Sequence, residues 1–269
     1  MTDTASLQPD TILKKLGPSL FAKNFVFHRS LHSTNTVAKE LASQGAPEGT
    51  IVLAEEQRAG RGRMDRRWLS QGYLNLLFSI LLRPPMPPDQ VFVLTMILAL
   101  ATIKGVGEIS GLKPMIKWPN DLYVHPKKLG GILTEFSAKG KGVEYVVLGL
   151  GLNVNWSPDD DEEISNPTTS ILAETGLKVS RNDLLIGILK PFETYYRKVL
   201  AGEIEDFCKR WNEYSILIGN DVEIESGEET VRGKVLRIDR DGALIIKDDE
   251  GKEQKIVSGD VSIKFGEAG

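Results

Sequence analysis

Arginine is concentrated in one short stretch of this 269-residue chain, residues 55–70, with the sequence Glu-Glu-Gln-Arg-Ala-Gly-Arg-Gly-Arg-Met-Asp-Arg-Arg-Trp-Leu-Ser. A guanidinium group offers forked donors that suit phosphate or carboxylate oxygens, and it stays charged at any working pH. Gly60 and Gly62 stand among the arginines and allow the backbone to come close to a ligand. Because residues 50–54, Thr-Ile-Val-Leu-Ala, have the composition of a strand, we predict a loop that leaves a strand and folds over an anion.

A solvated basic loop is the alternative interpretation of these arginines. Two neighbouring residues favour a ligand instead. Trp68 is a large aromatic residue that a merely solvated loop does not need, and the amide of Gln57 can both donate and accept hydrogen bonds. The arginines of this stretch are Arg58, Arg61, Arg63, Arg66 and Arg67.

Hydroxyl and amide side chains also stand together upstream, at Ser33, Thr34 and Asn35. They precede residues 37–42, whose apolar spacing predicts an amphipathic helix. Capping alone would explain such residues at a helix start. A helix N-terminus also presents free N–H groups to ligands, so a binding role is compatible with capping.

Three further motifs join polar residues to apolar runs: Lys-Trp-Pro-Asn-Asp at 117–121, Lys-Lys-Leu-Gly-Gly-Ile-Leu at 127–133 and Gly-Leu-Gly-Leu-Asn at 149–153. The third is not a dinucleotide fingerprint, because no third glycine and no helix follow. Residues 60–62 are not a P-loop, because they lack the Gly-Lys-Ser/Thr ending. These two common nucleotide-binding motifs are therefore excluded.

Composition argues against nucleic-acid-binding, secreted, membrane-spanning and disulfide-rich proteins. Hydrophobic residues make up 41% and charged residues 26%, which is ordinary for a globular protein, and the net charge of −4 argues against nucleic acid as the main partner. The chain start lacks the features of a signal peptide, and the longest apolar run, residues 91–103, is too short to span a bilayer. We therefore expect a cytoplasmic protein. Cys208, the single cysteine, excludes a disulfide framework, and its helical context predicts burial.

Periodicity gives the expected elements. It predicts helices over 10–16, 88–109, 183–200 and 204–214, and strands over 25–28, 73–82, 127–135 and 145–154. The acidic run 159–163 has the composition of a solvated loop. Beyond residue 215 the pattern changes to short alternating strands at 221–224, 233–238, 243–246 and 255–257. We therefore predict a large domain over residues 1–214 and a small β-barrel domain over residues 215–269.

Taken in order, these polar stretches resemble the biotin protein ligases over essentially the whole chain. Residues 60–68 look like that family's Gly-Arg-Gly-Arg-x-Gly-Arg-x-Trp loop, and the motifs at 117–121, 128–133 and 149–153 match its other signatures. The resemblance implies an α+β fold: a mixed sheet flanked by helices in a class II synthetase-like catalytic domain, with an SH3-like C-terminal β-barrel. Regulatory members carry an N-terminal winged-helix domain, for which we expect no room here, and hence no DNA binding.

The resemblance also implies a two-step reaction. The carboxylate of biotin attacks the α-phosphate of ATP, giving biotinyl-AMP and pyrophosphate, and a lysine of a biotin carboxyl carrier protein or domain then takes the biotinyl group. Fixed cations are the main requirement, because a carboxylate must approach a polyphosphate, and Mg²⁺ is expected to screen the phosphates. The ligands of that metal cannot be named from the sequence.

Site residues follow from the same resemblance. Those matched to biotin binding are Ser33, Thr34, Asn35, Gln57, Arg61, Gly62, Arg63 and Lys128. Those matched to ATP binding are Arg61, Arg63, Arg66, Trp68, Asn120 and Asn153. Those expected to act in catalysis are Lys128, Arg63, Arg66 and Asp121. The carboxylate of Asp121 is expected to help deprotonate the carrier lysine or to hold a metal, with a backbone-bonding turn residue as the alternative.

Some alternatives stay open at this stage. A lipoate-type ligase of the same fold is the nearest rival, although Ser33, Thr34 and Gln57 favour the ureido group of biotin over a lipoyl chain. A nucleic-acid binder that uses the arginines is disfavoured by the acidic balance. No membrane partner is expected, and a homodimer is left open. The family loop has glycine where this chain has Asp65, whose side chain we expect to turn away from the phosphates.

Overall fold

The computed structural model describes residues 6–64, 66–157, 167–226 and 229–263. The orientation expected for Asp65 and the loop expected at 159–163 lie outside the described residues. The helices are α1 (Pro9–Leu16), α2 (Thr34–Ser43), α3 (Phe92–Ser110), α4 (Ile171–Thr175), α5 (Arg181–Leu200) and α6 (Glu205–Tyr214). The strands are β1 (Phe25–Leu31), β2 (Thr50–Gln57), β3 (Gly60–Arg61), β4 (Arg67–Trp68), β5 (Leu76–Leu82), β6 (Met115–Lys117), β7 (Asp121–Val124), β8 (Lys127–Lys139), β9 (Gly142–Leu152), β10 (Asp221–Ser226), β11 (Glu229–Ile238), β12 (Leu244–Lys247), β13 (Glu253–Ile256) and β14 (Asp260–Ile263).

Seven strands form one mixed sheet in the order β1-β2-β5-β9-β8-β7-β6. Strands β1 and β2 are parallel, and the other neighbours are antiparallel. Every residue of the interior strand β5 is buried, which explains its nearly continuous apolar sequence Leu-Leu-Phe-Ser-Ile-Leu-Leu. The single polar residue of that strand, Ser79, becomes important at the site below.

The two faces of the sheet bury two separate cores. Side chains alternate between faces along a strand. In β2, Ile51 and Leu53 point into the large core built on α3 and α5, whereas Val52 and Ala54 point into a smaller core under α2. Helix α2 therefore packs on one face of the sheet, against β2, β5 and β9.

Helix α3 is the central helix of the large core. Every residue from Val93 to Ile103 is buried, and Gly111 ends the helix in the left-handed conformation (φ 73°). Residues Pro88–Ser110 are long and apolar enough to cross a membrane, but 72% of their most apolar window is buried inside the protein. The apolar run is thus explained as a core helix.

The C-terminal strands form a five-stranded antiparallel sheet in the order β13-β12-β11-β10-β14. Four of these strands were predicted from alternation, whereas β14 was not. The turn before β12 is fixed to the large domain, because the Trp118 indole donates a hydrogen bond of 2.7 Å to the Gly242 carbonyl. Helix α6 ends at Tyr214, close to the domain division predicted at 214/215, which stays a prediction.

Candidate active site

One cavity of about 430 Å³ opens between the arginine stretch, the ends of β6 and β7, the middle of β8 and β9, and the barrel strand β14. All the predicted site residues except one line its wall: Ser33, Thr34, Asn35, Gln57, Arg61, Gly62, Arg63, Arg66, Trp68, Asn120, Asp121 and Lys128. Residues far apart in the sequence therefore meet at one place. The lining is mostly polar at one end and mostly charged at the other.

The polar end is built on the start of α2. The backbone N–H of Thr34 donates to Gln57 Oε1 at 2.7 Å, and the Thr34 hydroxyl lies 3.1 Å from the same oxygen. Ser33 is the N-cap residue of α2 but its side chain makes no capping bond. Capping therefore does not account for Ser33.

Ser79 is hydrogen-bonded to two residues of this polar end, Thr34 and Asn35. It is fully buried in β5, and its hydroxyl lies 2.8 Å from Thr34 Oγ1 and 2.6 Å from Asn35 Oδ1. A serine hydroxyl has one proton, which it shares with the hydroxyl and amide around it. Sequence analysis missed Ser79, because a serine inside an apolar strand carries no pattern that separates a supporting role from core packing.

Glycine at position 149 makes room for Asn35. A Cβ atom there would lie 2.0 Å from Asn35 Oδ1, far inside contact distance. The amide of Asn35 donates to the Leu133 carbonyl at 3.1 Å and to Glu135 Oε2 at 2.9 Å. The absence of a side chain at Gly149 therefore lets Asn35 pack against β9 beneath the cavity. Hydrogen bonds to Ser79, Leu133 and Glu135 fix the Asn35 side chain.

Glu135 forms ion pairs with two cations next to the polar end, Lys39 and Arg61. Its carboxylate lies 2.6 Å from Lys39 Nζ and 3.4 Å from Arg61 Nη1. Burial alone would raise the pKa of Glu135, but hydrogen bonds from Lys39 and Asn35 and the charge of Arg61 outweigh it, so the pKa is lowered. Glu135 therefore stays ionised and holds Arg61 over the cavity.

Trp68 and Lys128 form the middle of the cavity. The indole packs against β9, where a Cβ atom at Gly151 would lie 2.6 Å from Trp68 Cε2. Lys128 Nζ lies 5.7 Å from the Trp68 ring centroid and 2.8 Å from Asp121 Oδ1. The indole nitrogen of Trp68 is buried without a hydrogen-bond partner among the described residues. An aromatic plane, a cation and a carboxylate thus meet within one small volume.

Asn120 and Asn153, both matched to ATP binding by the resemblance, have different positions. Asn120 lines the cavity, donates to the Ile132 carbonyl at 2.6 Å and lies 3.5 Å from Arg63 Nη1. Asn153 is buried behind the wall, where its amide donates to the Thr169 carbonyl at 3.0 Å. Since the Thr169 N–H bonds the Lys128 carbonyl at 2.8 Å, Asn153 supports the backbone of Lys128 from outside the cavity.

The barrel closes the charged end of the cavity. Glu225, Asp260, Val261 and Ser262 belong to the lining, and the Arg66 guanidinium makes two contacts with the Asp260 carboxylate. Burial lowers the pKa of Arg63, which faces the same region. Asp260 was not predicted as a site residue, and its strand β14 was not predicted either, although Asp-Val-Ser-Ile alternates polar and apolar residues. Lys117 was also not predicted, although the motif that contains it was noticed.

Carboxylates that could hold a metal are few. The described residues contain no group of three or more His, Cys, Asp or Glu side chains placed to bind an ion. Asp121 lines the cavity and Asp260 lies at its edge. Such a sparse set fits Mg²⁺ held mainly by nucleotide phosphates and water with one or two carboxylates, which is how Mg²⁺ usually binds.

Comparison with known proteins gives the class. Residues 27–153 match the biotin/lipoate A/B protein ligase family, and residues 217–264 match the biotin protein ligase C-terminal domain. The bifunctional ligase/repressor BirA of Bacillus subtilis is 37% identical over 92% of this chain and 76% of its own length. A biotin–[acetyl-CoA-carboxylase] ligase of Mycobacterium tuberculosis is 32% identical over 85% of each chain. The chain therefore belongs to the biotin/lipoate A/B protein ligase family.

The solved structures agree with this assignment. A biotin protein ligase from Aquifex aeolicus, in complex with biotin and ATP, superposes with a TM-score of 0.76 at 30% identity, over 90% of this chain and 99% of that one. Within the family, the chain is an ATP-dependent biotin–protein ligase. The fold class expected from the sequence, including the C-terminal barrel, is confirmed, and the lipoate-type alternative has less support.

Proposed function

We propose that this cavity joins biotin to ATP and then transfers the biotinyl group to a lysine of a carboxylase carrier domain. In the first step a carboxylate oxygen of biotin bonds to the α-phosphorus as the bond to the β-phosphate oxygen breaks. In the second step the carrier lysine amine bonds to the biotinyl carbonyl carbon, and AMP leaves. The observation that carries the proposal is the pairing of a buried hydroxyl–amide end with a cationic end in one cavity.

The polar end suits the ureido group of biotin. That group has one carbonyl acceptor and two N–H donors. Thr34 and Gln57 can meet both needs, because their hydroxyl and amide groups donate and accept and both residues line the cavity. Their bonds to each other and to Ser79 hold them in place before a ligand arrives, which lowers the entropy cost of binding.

The charged end suits the phosphates and the biotin carboxylate. Arg61, Arg63, Arg66 and Lys128 line it. Lys128 is the cation best placed between the two reacting groups, since it lies in the middle of the cavity beside Trp68. We propose that its ammonium neutralises the oxygens that share negative charge during both steps. Trp68 offers its indole face to the adenylate.

Asp121 has a positioning role in this proposal. Its carboxylate lies 2.8 Å from Lys128 Nζ and fixes that ammonium toward the cavity. The same carboxylate is the nearest candidate ligand for Mg²⁺, whose chemistry when bound is to neutralise phosphate charge. Deprotonation of the carrier lysine by Asp121 remains a second candidate role.

The names of relatives support a carboxylase carrier domain as protein substrate, since two are called biotin–[acetyl-CoA-carboxylase] ligase, in Paracoccus denitrificans and Mycobacterium tuberculosis. A cytoplasmic location and the absence of DNA and membrane partners belong to the same proposal.

Two assays test the proposal. The protein, MgATP and a carboxylase carrier domain are incubated with either biotin or lipoate, and intact-mass spectrometry follows the carrier. We expect a mass increase with biotin alone, lost when the acceptor lysine of the carrier is replaced. Calorimetric binding of lipoate as tight as that of biotin would move the proposal to the lipoate-type alternative.

A further inference from the structure

Lys117 is a cation of the cavity that the roles above do not use. It is the last residue of β6 and is half-buried in the cavity wall. Its ammonium lies 5.6 Å from the ring centroid of Tyr123, and it forms no ion pair or hydrogen bond with any described side chain. A half-buried ammonium without an anion is costly, because water is lost and no counter-charge replaces it.

The carboxylates near Lys117 are bound to other cations. Asp121 pairs with Lys128 at 2.8 Å, and Asp260 pairs with Arg66. The pKa of Lys117 is lowered mainly by burial; Asp121 and Asp260 oppose that change, whereas Lys128 and Arg66 add to it. Lys117 therefore stands among two cations and two carboxylates that already have partners. An added anion would be stabilised by all three cations.

The neighbours of Lys117 fix its place between the large domain and the barrel. Its backbone pairs with Asp121 across the β6–β7 turn. The next residue, Trp118, is held to the barrel by its bond to the Gly242 carbonyl. Lys117 consequently lies on a strand end near Asp260 of β14 and near Arg66, whose charges act on its ammonium together with those of Asp121 and Lys128. Tyr123 beside it stays a neutral phenol, since burial and Asp121 raise its pKa to about 12.

We propose that Lys117 binds the β- and γ-phosphates of ATP and stabilises the pyrophosphate as it leaves. This inference rests on the proposed first step, in which the electron pair of the breaking α-phosphorus–oxygen bond departs with pyrophosphate. Arg66 joins Lys117 there when it exchanges Asp260 for a phosphate oxygen. Lys117 then acts only in the first step, because pyrophosphate is absent from the second.

The test compares the two half-reactions in Lys117→Met, which keeps most of the unbranched apolar side chain and removes the ammonium. We expect the kcat/KM for ATP in biotinyl-AMP formation to fall by about 10²–10³, as for loss of one charge stabiliser. Inhibition by added pyrophosphate should weaken by about tenfold or more. Transfer from preformed biotinyl-AMP to the carrier lysine, and the Kd of biotin, should stay near their wild-type values.

Two further variants keep the test decisive. Lys117→Arg retains a cation and should recover most of the lost activity, whereas a purely structural role would not be rescued by charge. Lys113→Met changes an exposed lysine just upstream and should have no effect. Equal loss of both half-reactions, or unchanged pyrophosphate inhibition in Lys117→Met, would overturn the inference. If the wild-type protein itself made no biotinyl-AMP, the proposed function would fail instead.

Discussion

The two ends of the cavity are built in opposite ways. At the polar end, the side chains of Thr34 and Asn35 are only 4% and 3% exposed, and fixed hydrogen bonds join them to Gln57, Ser79 and Glu135. At the charged end, the side chain of Arg66 is 65% exposed and pairs with Asp260 of the barrel. A preorganised end suits recognition of an uncharged group, and an end made of exchangeable ion pairs suits binding and release of polyphosphate.

Energetics support this division. Breaking a buried hydrogen bond leaves an unsatisfied group at a cost of about 1–3 kcal/mol. An exposed ion pair contributes about 0–1 kcal/mol. Arg66 can therefore leave Asp260 at little cost, whereas Thr34 and Asn35 cannot leave Ser79. The difference predicts that mutations at the two ends change different quantities.

The largest effect is expected at Lys128, where the two ends meet. Lys128→Ala should keep the fold but reduce biotinyl-AMP formation by about 10²–10³, because one fixed charge stabiliser is lost. A pyrophosphate-release assay measures it, and Lys127→Ala, which removes the exposed neighbouring lysine, is the control. Activity within about tenfold of wild type would remove Lys128 from the chemistry.

At the polar end, Ser79→Ala should weaken biotin binding without changing the affinity for ATP. Losing the bonds to Thr34 and Asn35 is expected to cost about 1 kcal/mol, or about fivefold in the biotin Kd. Calorimetry of the two ligands separately measures this, with the exposed α2 variant Ser43→Ala as control. A larger change in ATP affinity than in biotin affinity would break the proposed division between the ends.

At the charged end, Asp260→Asn should lower the KM for ATP by about two- to fivefold, since the internal competitor for Arg66 loses its charge. The biotin Kd should not change. Asp241→Asn, which alters a barrel carboxylate paired with Lys255 at 2.5 Å, is the matched control. An increase in the KM for ATP would mean that Asp260 assists nucleotide binding and does not compete with it.

The smallest effect is expected outside both ends, at Cys208. This residue is buried in α6 as the sequence predicted, and burial is the main cause that raises the pKa of its thiol. Cys208→Ala should leave both half-reactions unchanged and lower Tm by about 2–4 °C, for a loss of roughly 1 kcal/mol. Thiol alkylation of the native protein should also spare activity; inactivation that this variant resists would contradict a structural role.

The sequence was most informative where periodicity or composition is local. The helix predicted at 183–200 is α5, Arg181–Leu200, with Ser180 accepting a capping bond from the Asp183 N–H. The arginine stretch lines the cavity as expected, although its short hairpin of β3 and β4 was not foreseen. Local signals of this kind need no knowledge of distant neighbours.

Local sequence patterns were least informative where the decisive contact is long-range. Asn153 follows a glycine-rich strand, and its amide donates a hydrogen bond to the Thr169 carbonyl, a partner that the local sequence does not indicate. Its contact with ATP stays a prediction. Asp260 and Ser79 were not predicted as site residues, because nothing in their local sequence indicates which side chains they contact. Their importance depends on partners 194 and 45 residues away in the sequence, Arg66 and Thr34. Such contacts are set by the packing of the barrel and of α2 on the large sheet.

Native mass spectrometry after incubation with biotin and MgATP tests the central claim most directly, because a cavity with these two ends should hold the joined product. We predict one retained biotinyl-AMP per chain, formed only when ATP and biotin are both present, and discharged when a carrier domain is added. Retention of unreacted biotin alone, in protein that is fully folded and supplied with MgATP, would contradict the account.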